Sequence, residues 1–124
     1  MNRQALDRLI ESSKDDPELL EAIQDALKSF EEYHTAIYSM ETRRKILQVS
    51  ADTRTYQMEM MEMDQNRTNR HNAVLANVSM LNNIAAAAGL PPVYDGSISR
   101  EQPYRRQVAD AVLQFVREII LERP

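Results

Sequence analysis

The chain has 124 residues, of which 43% are apolar and none is cysteine, and its formal net charge is −4. This length suits one domain rather than two, and the apolar fraction argues against a disordered chain. The lack of cysteine excludes disulfides and thiolate metal sites, and the acidic balance disfavours duplex nucleic acid as a partner.

The composition also predicts the fold class and the compartment. Only two residues are glycine, good helix formers are abundant, and no alternating run of strand formers occurs, so we expect an all-α protein. The N-terminal stretch MNRQALDRLI has charges within its apolar turn, which is unlike a secretory signal. No apolar run approaches the ~20 residues of a membrane span. We therefore expect a cytoplasmic protein with no membrane association.

The first two predicted helices come early in the chain. Residues 3–13 form a short amphipathic segment with Leu6 and Leu9 on one side. The second helix starts at Asp16-Pro17, an N-cap followed by proline in the first turn. Its apolar positions then recur in steps of three and four, which is the pattern of a helix packed on other helices: Leu19, Ile23, Ala26, Phe30, Tyr33, Ile37 and Met40.

Two alternatives remain open in the middle of the chain. The apolar pattern is interrupted around residues 49–53, where Ser50 or Asp52 offers a new cap. The helix either breaks there or continues into the methionine-rich segment at 58–63. The following apolar stripe predicts a helix from about residue 66 to Ala88, closed by Gly89 in the left-handed position after the helix.

The C-terminal part predicts one more helix after a loop at 91–99. This helix starts between Ser99 and Pro103 and has two adjacent apolar stripes, which suits a helix buried by more than one neighbour. We therefore predict one domain over residues 1–124, a helical bundle of three long helices and a short N-terminal one. Residues 1–33 carry four basic and nine acidic residues, whereas 67–124 carry seven and five, so we expect the acidic and basic halves to pack together.

A polar cluster at the start of the 66–88 stripe is the first candidate binding site. Arg67 and His71 continue the stripe of Val74 and Val78, so we expect both side chains to be mostly buried and hydrogen-bonded. Such a cluster is either a structural clasp or a small pocket for an anion or a carboxylate. Its members are Asp64, Arg67, Arg70, His71 and Asn72.

Methionines and the last helix indicate a second candidate, an interface. Methionine side chains adapt to partner surfaces, whereas Met-x-x-Met spacing as a copper site is a minor alternative. One small domain cannot cover both the methionine segment and the wide apolar face of the last helix. We therefore expect a homodimer, or an unknown protein partner, at Met58, Met61, Met63 or Ile120.

A third candidate lies in the loop and the basic residues that follow it. Arginines beside tyrosines can hold single-stranded nucleic acid, although a solvated surface is the simpler interpretation. The loop candidates are Tyr94, Asp95, Arg105 and Arg106. A nucleic-acid or anion-binding regulator would combine them with Arg67, Arg70 and Arg100.

No pattern indicates an enzyme. Glu31-x-x-His34 has the spacing of a di-iron helical bundle, but the second copy that such a site needs is missing. Serine-hydrolase and phosphate-loop motifs are also missing. We expect no catalytic residues, no metal and no cofactor, and we predict a non-enzymatic interaction or regulatory module. A metal-binding helical bundle ranks last.

One set of motifs resembles a known type of family. It comprises Asp64-x-x-Arg67-x-x-x-His71-Asn72, the apolar helix, Gly89-Leu90-Pro91-Pro92, Tyr94-Asp95-Gly96 and the final apolar helix. Together these resemble a small bacterial all-helical family with no assigned function. The resemblance covers the second half of the chain and implies no activity.

Overall fold

The computed structural model describes residues 2–94 and 106–121. These ranges contain four helices and no strand: α1 Asn2–Ser12, α2 Pro17–Ser50, α3 Thr53–Ala87 and α4 Arg106–Leu121. The prediction of an all-α protein with three long helices and a short N-terminal one is confirmed. The predicted start of the last helix, between Ser99 and Pro103, lies outside the described residues.

Side-chain caps set the starts of α2 and α3. The Asp16 carboxylate accepts a hydrogen bond from the Leu19 N–H at 3.2 Å, and Pro17 follows it, as predicted. Asp52 caps α3 in the same way, accepting from the Thr55 N–H at 2.8 Å. The break therefore falls at residues 51–52. This is one of the two alternatives that the sequence left open, with Asp52 as the new cap. The methionines belong to α3, which begins at Thr53, well before the segment from about residue 66 that the apolar stripe predicted.

The end of α3 was predicted correctly from Gly89. This glycine has a φ of 69°, the left-handed region that side chains disfavour. The Gly89 N–H donates to the Ala86 carbonyl at 3.1 Å, and the Leu90 N–H donates to the Ala85 carbonyl at 2.8 Å. These two bonds form a Schellman motif, which satisfies carbonyls that the helix end would otherwise leave open.

The hydrophobic core lies at one end of the α2–α3 pair. There α4 packs against α1, α2 and α3, and both of its apolar stripes contribute, as the sequence predicted. The rings of Phe30 and Phe115 meet edge to face, with centroids 5.5 Å apart. The largest fully buried apolar side chains are Leu6, Leu9, Ile23, Phe30, Tyr33, Leu81, Phe115 and Ile119.

Beyond this core, α2 and α3 continue as a pair without α1 or α4. The last core residue on α2 is Ile37, and the first on α3 is Val74. We call residues 38–50 of α2 and 53–70 of α3 the arm; at 1.5 Å per residue the α2 part is about 20 Å long. Its buried apolar side chains are Met40 and Leu47. Arg43 and Glu59 form an ion pair across it at 3.2 Å.

Candidate binding surfaces

His71 and Arg67 lie where the arm joins the core. The side chain of His71 is only 1% exposed, and its ring centroid is 6.4 Å from that of Tyr33. Burial lowers the pKa of His71 below 6.5, because a charged imidazolium is poorly solvated there. Arg67, one turn earlier on α3, is half-buried. The stripe thus predicted the burial of His71 fully and that of Arg67 in part.

The other members of the predicted polar cluster point elsewhere. Asp64 and Asn72 are exposed, so Asp64 is not a buried partner. The Arg70 Nε donates to the Asn66 side-chain oxygen at 2.8 Å, along the surface of α3. The five residues therefore do not converge on one pocket. Arg67 and His71 lie at the junction of arm and core, Arg70 lines a groove between α2 and α3, and Asp64 and Asn72 are exposed.

An open groove between α2 and α3 contains Arg70. Its other charged residues are Lys28, Glu31 and Glu32. Two basic and two acidic side chains give the groove a balanced charge. A surface that binds phosphates needs an excess of positive charge, so this groove does not favour the nucleic-acid alternative.

Tyr94 has a structural position in the described loop. Its backbone N–H donates to the Asn82 side-chain oxygen at 3.1 Å, and its carbonyl accepts from the Asn82 amide nitrogen at 2.9 Å. Its ring meets Phe115 edge to face at 4.9 Å. These contacts fix the start of the loop against α3 and α4.

The remaining loop candidates cannot be placed beside Tyr94. Asp95 and Arg105, together with Arg100 of the basic alternative, lie outside the described residues. Arg106 begins α4, but its side chain is also outside the described part. The proposed loop site and its arginines therefore remain sequence-based predictions.

Two polar contacts were missed by the sequence analysis. Besides Asn82, Arg3 on α1 links the two chain ends: its Nη1 donates to the Ile119 carbonyl at 3.0 Å, and its Nε lies 3.2 Å from an Asp7 carboxylate oxygen. A guanidinium near the end of α4 also complements the helix dipole. Single polar residues carry no periodic signal, so only the packing of α1 on α4 reveals this role.

The predicted interface residues divide into two groups. Met58 and Met61 are 60% and 73% exposed. Met63 is half-buried and lines a groove next to Met40, and Ile120 is half-buried against the core. The exposed apolar surface predicted for this chain therefore lies at Met58 and Met61 rather than at Ile120.

The opposite side of the arm is also apolar, which the sequence analysis missed. Tyr38, Ile46 and Val49 on α2 are 72%, 48% and 88% exposed. Together with Thr42 they follow steps of four, four and three residues, so they lie along one side of the helix. We call these four residues the α2 outer face; it points away from the buried side chains of Met40 and Leu47. The regular spacing was the available signal.

Metal ligands do not cluster in the structure as described. Residues 2–94 and 106–121 contain no group of three His, Asp or Glu side chains that could hold an ion. Glu31 and His34, which have di-iron spacing, are both half-buried on α2. Nor does any helix in those ranges have the length and apolar character needed to cross a membrane.

Comparisons with known proteins give one result. Searches of the curated proteins and of the solved structures found no match. A family model described as "Protein of unknown function (DUF3232)" matches residues 1–122. The match extends beyond the second half of the chain, where the resemblance was noted, and includes the arm, the His71 region and the loop after Gly89. The chain therefore belongs to this uncharacterised DUF3232 family.

Proposed function

We propose that this protein is a non-enzymatic protein–protein interaction module that forms a homodimer through its arm. One observation supports this proposal above others: among the side chains that the structure describes, the large apolar ones that are most exposed all lie on the arm. They are Tyr38, Ile46, Val49, Met58 and Met61. Scattered single apolar residues are normal on a surface, whereas a contiguous apolar patch marks an interaction site.

The construction of the arm explains why this surface stays open. Two helices can bury only the sides that face each other, and here those sides hold Met40 and Leu47. Neither α1 nor α4 reaches beyond the core to cover the outer sides. Two further helices from another molecule would complete a four-helix arrangement, which is a common way to bury such faces.

Magnitudes favour a weak and reversible complex. Full burial of a side chain such as Val49 contributes about 1.5–3 kcal/mol, and the two copies of the arm provide several such residues. Association costs at least ~4 kcal/mol in lost freedom of motion. Six such side chains in the two copies, at about 2 kcal/mol each, leave at most about 8 kcal/mol after this cost, so the dissociation constant should be about 1 μM or weaker.

The two faces of the arm suit different uses. Methionine adapts to partners of varied shape, so the Met58 and Met61 side suits a second, different protein. We propose the cytoplasm as the location, because a sequence without cysteine fits a reducing compartment. No resident metal is expected, and elemental analysis of protein purified without chelator is the measurement for it.

Light scattering over a concentration series tests the proposal. The mass should rise from 14.3 kDa toward twice that value as concentration increases through the micromolar range. A variant with Val49→Asp and Met61→Asp should stay monomeric, because it adds charge to both apolar faces. The matched control, Gln48→Asp with Gln57→Asp, adds the same charge at exposed polar positions of the arm. A wild-type mass fixed at 14.3 kDa would reject the homodimer.

Binding of nucleic acid is the alternative with less support. The groove around Arg70 has balanced charge, and the chain has a net charge of −4. The same purified samples separate the two functions through their ultraviolet absorbance ratio. Bound nucleic acid that is lost in high salt would favour the alternative.

A further inference from the structure

The residues of the α2 outer face are spaced so that the face can pack against the same face of a second copy whose helix runs in the opposite direction. A two-fold axis perpendicular to the helix relates two such helices as an antiparallel pair, whereas an axis along the helix gives a parallel pair. In the antiparallel pair whose axis passes between positions 43 and 44, residue n of one helix lies level with residue 87 − n of the other. Tyr38 then lies level with Val49 of the second copy. Ile46 falls beside Thr42 of that copy, within about one residue of its level.

The charges beside the outer face fit the same register. Glu41 and Lys45 are exposed, and at 100° per residue they lie on one flank of the stripe. In an antiparallel pair, each flank faces the same flank of the other copy. The register that joins Tyr38 to Val49 places Glu41 of each copy about 1.5 Å along the axis from the level of the other copy's Lys45. Two reciprocal ion pairs result.

The opposite flank contains no charge that would oppose this pairing. Ser39 is exposed there, and Arg43, farther round the helix, is already paired with Glu59 at 3.2 Å. The hydroxyl of Thr42 donates to the Tyr38 carbonyl at 3.2 Å. Thr42 can therefore enter an apolar contact without an unsatisfied donor.

A parallel pair lacks both advantages. It sets Tyr38 against Tyr38 and Val49 against Val49, and it turns the charged flank of each copy toward the neutral flank of the other. It also brings the two cores side by side at the same end. The antiparallel pair places each core beyond the tip of the opposing arm, so only the arms overlap.

We propose that the α2 outer face binds the same face of a second copy, antiparallel and in the register that pairs Glu41 with Lys45. This assignment rests on the homodimer proposed above and identifies its interface. It leaves Met58 and Met61 on the other side of each arm, free to bind a different protein. The overlap of about 13 residues per helix is short, so the buried area should lie below the roughly 1,200 Å² of stable complexes, in the range of transient ones.

Charge reversal tests the register with folding as a separate readout. Glu41→Lys and Lys45→Glu each turn two attractions into two repulsions, so each should raise the dimer dissociation constant roughly tenfold. The double variant should restore the wild-type constant. Glu62→Lys on α3 is the matched control, exposed on the arm but away from this face. Circular dichroism verifies that every variant is folded.

Engineered cysteines test the orientation, because the chain has none of its own. Tyr38→Cys and Val49→Cys are made in separate chains. Each variant is oxidised alone, and an unoxidised mixture of the two is oxidised in parallel. The register predicts disulfide-linked dimers mainly in the mixture, whereas a parallel pair would link each variant to itself.

The outcomes separate this inference from the broader proposal. A wild-type protein that stays monomeric rejects both. Two results would reject the antiparallel register and keep the homodimer. In one, Glu41→Lys changes the dissociation constant no more than Glu62→Lys does. In the other, the single cysteine variants crosslink as fast alone as when mixed. Recovery in the charge-swapped double variant supports the register.

Discussion

At the scale of single residues, His71 shows how burial changes the chemistry of a side chain. The sequence predicted its inward position from the stripe of Val74 and Val78, and the structure confirms that position. The sequence could not predict the neighbouring Tyr33 ring, because periodicity identifies the buried side of a helix and not the residue that it meets. The same reason explains why Arg67 was expected deeper than it lies.

His71 should make the stability of the protein depend on pH. The pKa of His71 in the folded protein lies below 6.5. Below pH 6.5, the His71 side chain is therefore protonated more readily in the unfolded chain than in the folded protein. The free energy of unfolding therefore falls as pH drops from 6.5 toward the folded pKa, and this contribution is constant above 6.5. One proton changes the slope by at most about 1.4 kcal/mol per pH unit.

Urea unfolding of His71→Gln measures this effect. Between about pH 7.5 and about pH 5.5, the variant should lose less stability than the wild type, although it is less stable at neutral pH. His34→Gln on α2 is the control for general effects of removing an imidazole. Equal pH slopes for wild type and His71→Gln would contradict the prediction.

Of the adjacent residues Asn82 and Asn83, Asn82 should contribute more to the stability of the fold. Its amide makes two hydrogen bonds with the Tyr94 backbone, at 2.9 and 3.1 Å. Asn82→Ala leaves a partly buried N–H and carbonyl without their partners, which costs about 1–3 kcal/mol. Asn83 is exposed, so Asn83→Ala should change the melting temperature little. Similar losses from both substitutions would show that the Tyr94 contact contributes little to stability.

At the scale of elements, the local sequence signals predicted where a helix begins or ends better than the apolar pattern predicted whether a helix continues. Asp16-Pro17 and Gly89 act within a few residues, and both helix ends were predicted from them. The break at 51–52 could not be decided from the sequence, because the apolar pattern is interrupted around 49–53 in a way that fits either a new cap or a helix that continues into the methionines. Only the hydrogen bond from the Thr55 N–H to Asp52 decides between one long helix and two.

Gly89 provides a test of the α3 terminus. An added Cβ would meet no atom within 4 Å, so the effect of Gly89→Ala comes from its φ of 69° and not from a clash. We expect a loss of about 1 kcal/mol in the free energy of unfolding. Gly89→Asn should lose less, because asparagine tolerates the left-handed region. Equal stability of Gly89→Ala and the wild type, measured by thermal unfolding, would be inconsistent with this strain.

At the scale of the whole molecule, the sequence predicted four helices but not their division into a core and an arm. The apolar stripe of α2 runs on through Met40 to Leu47, so it does not mark where the core ends. The stripe of α3 turns polar at His71 and Arg67, which by itself does not distinguish a clasp from the edge of a core. The division arises because α1 and α4, at 11 and 16 residues, are too short to cover helices of 34 and 35. The α2 outer face was missed for the same reason, since its significance depends on the fact that neither described short helix, α1 or α4, is long enough to cover it.

This division predicts two levels of local stability. The arm buries Met40 and Leu47, whereas the core joins side chains from all four helices. Amide hydrogens at 41–63 should therefore exchange faster than those at 23–37 and 74–85, by local opening that leaves the core intact. Leu47→Ala should speed exchange in the arm strongly, since loss of a buried leucine costs about 2–5 kcal/mol, with little effect on the core.

Dimer formation adds a second expectation: arm protection should increase with protein concentration through the micromolar range, while core protection stays constant. Uniform exchange along α2 would show that the arm is not a separate unit of stability. Arm protection that does not change with protein concentration would show that the arm is not the surface where two copies meet.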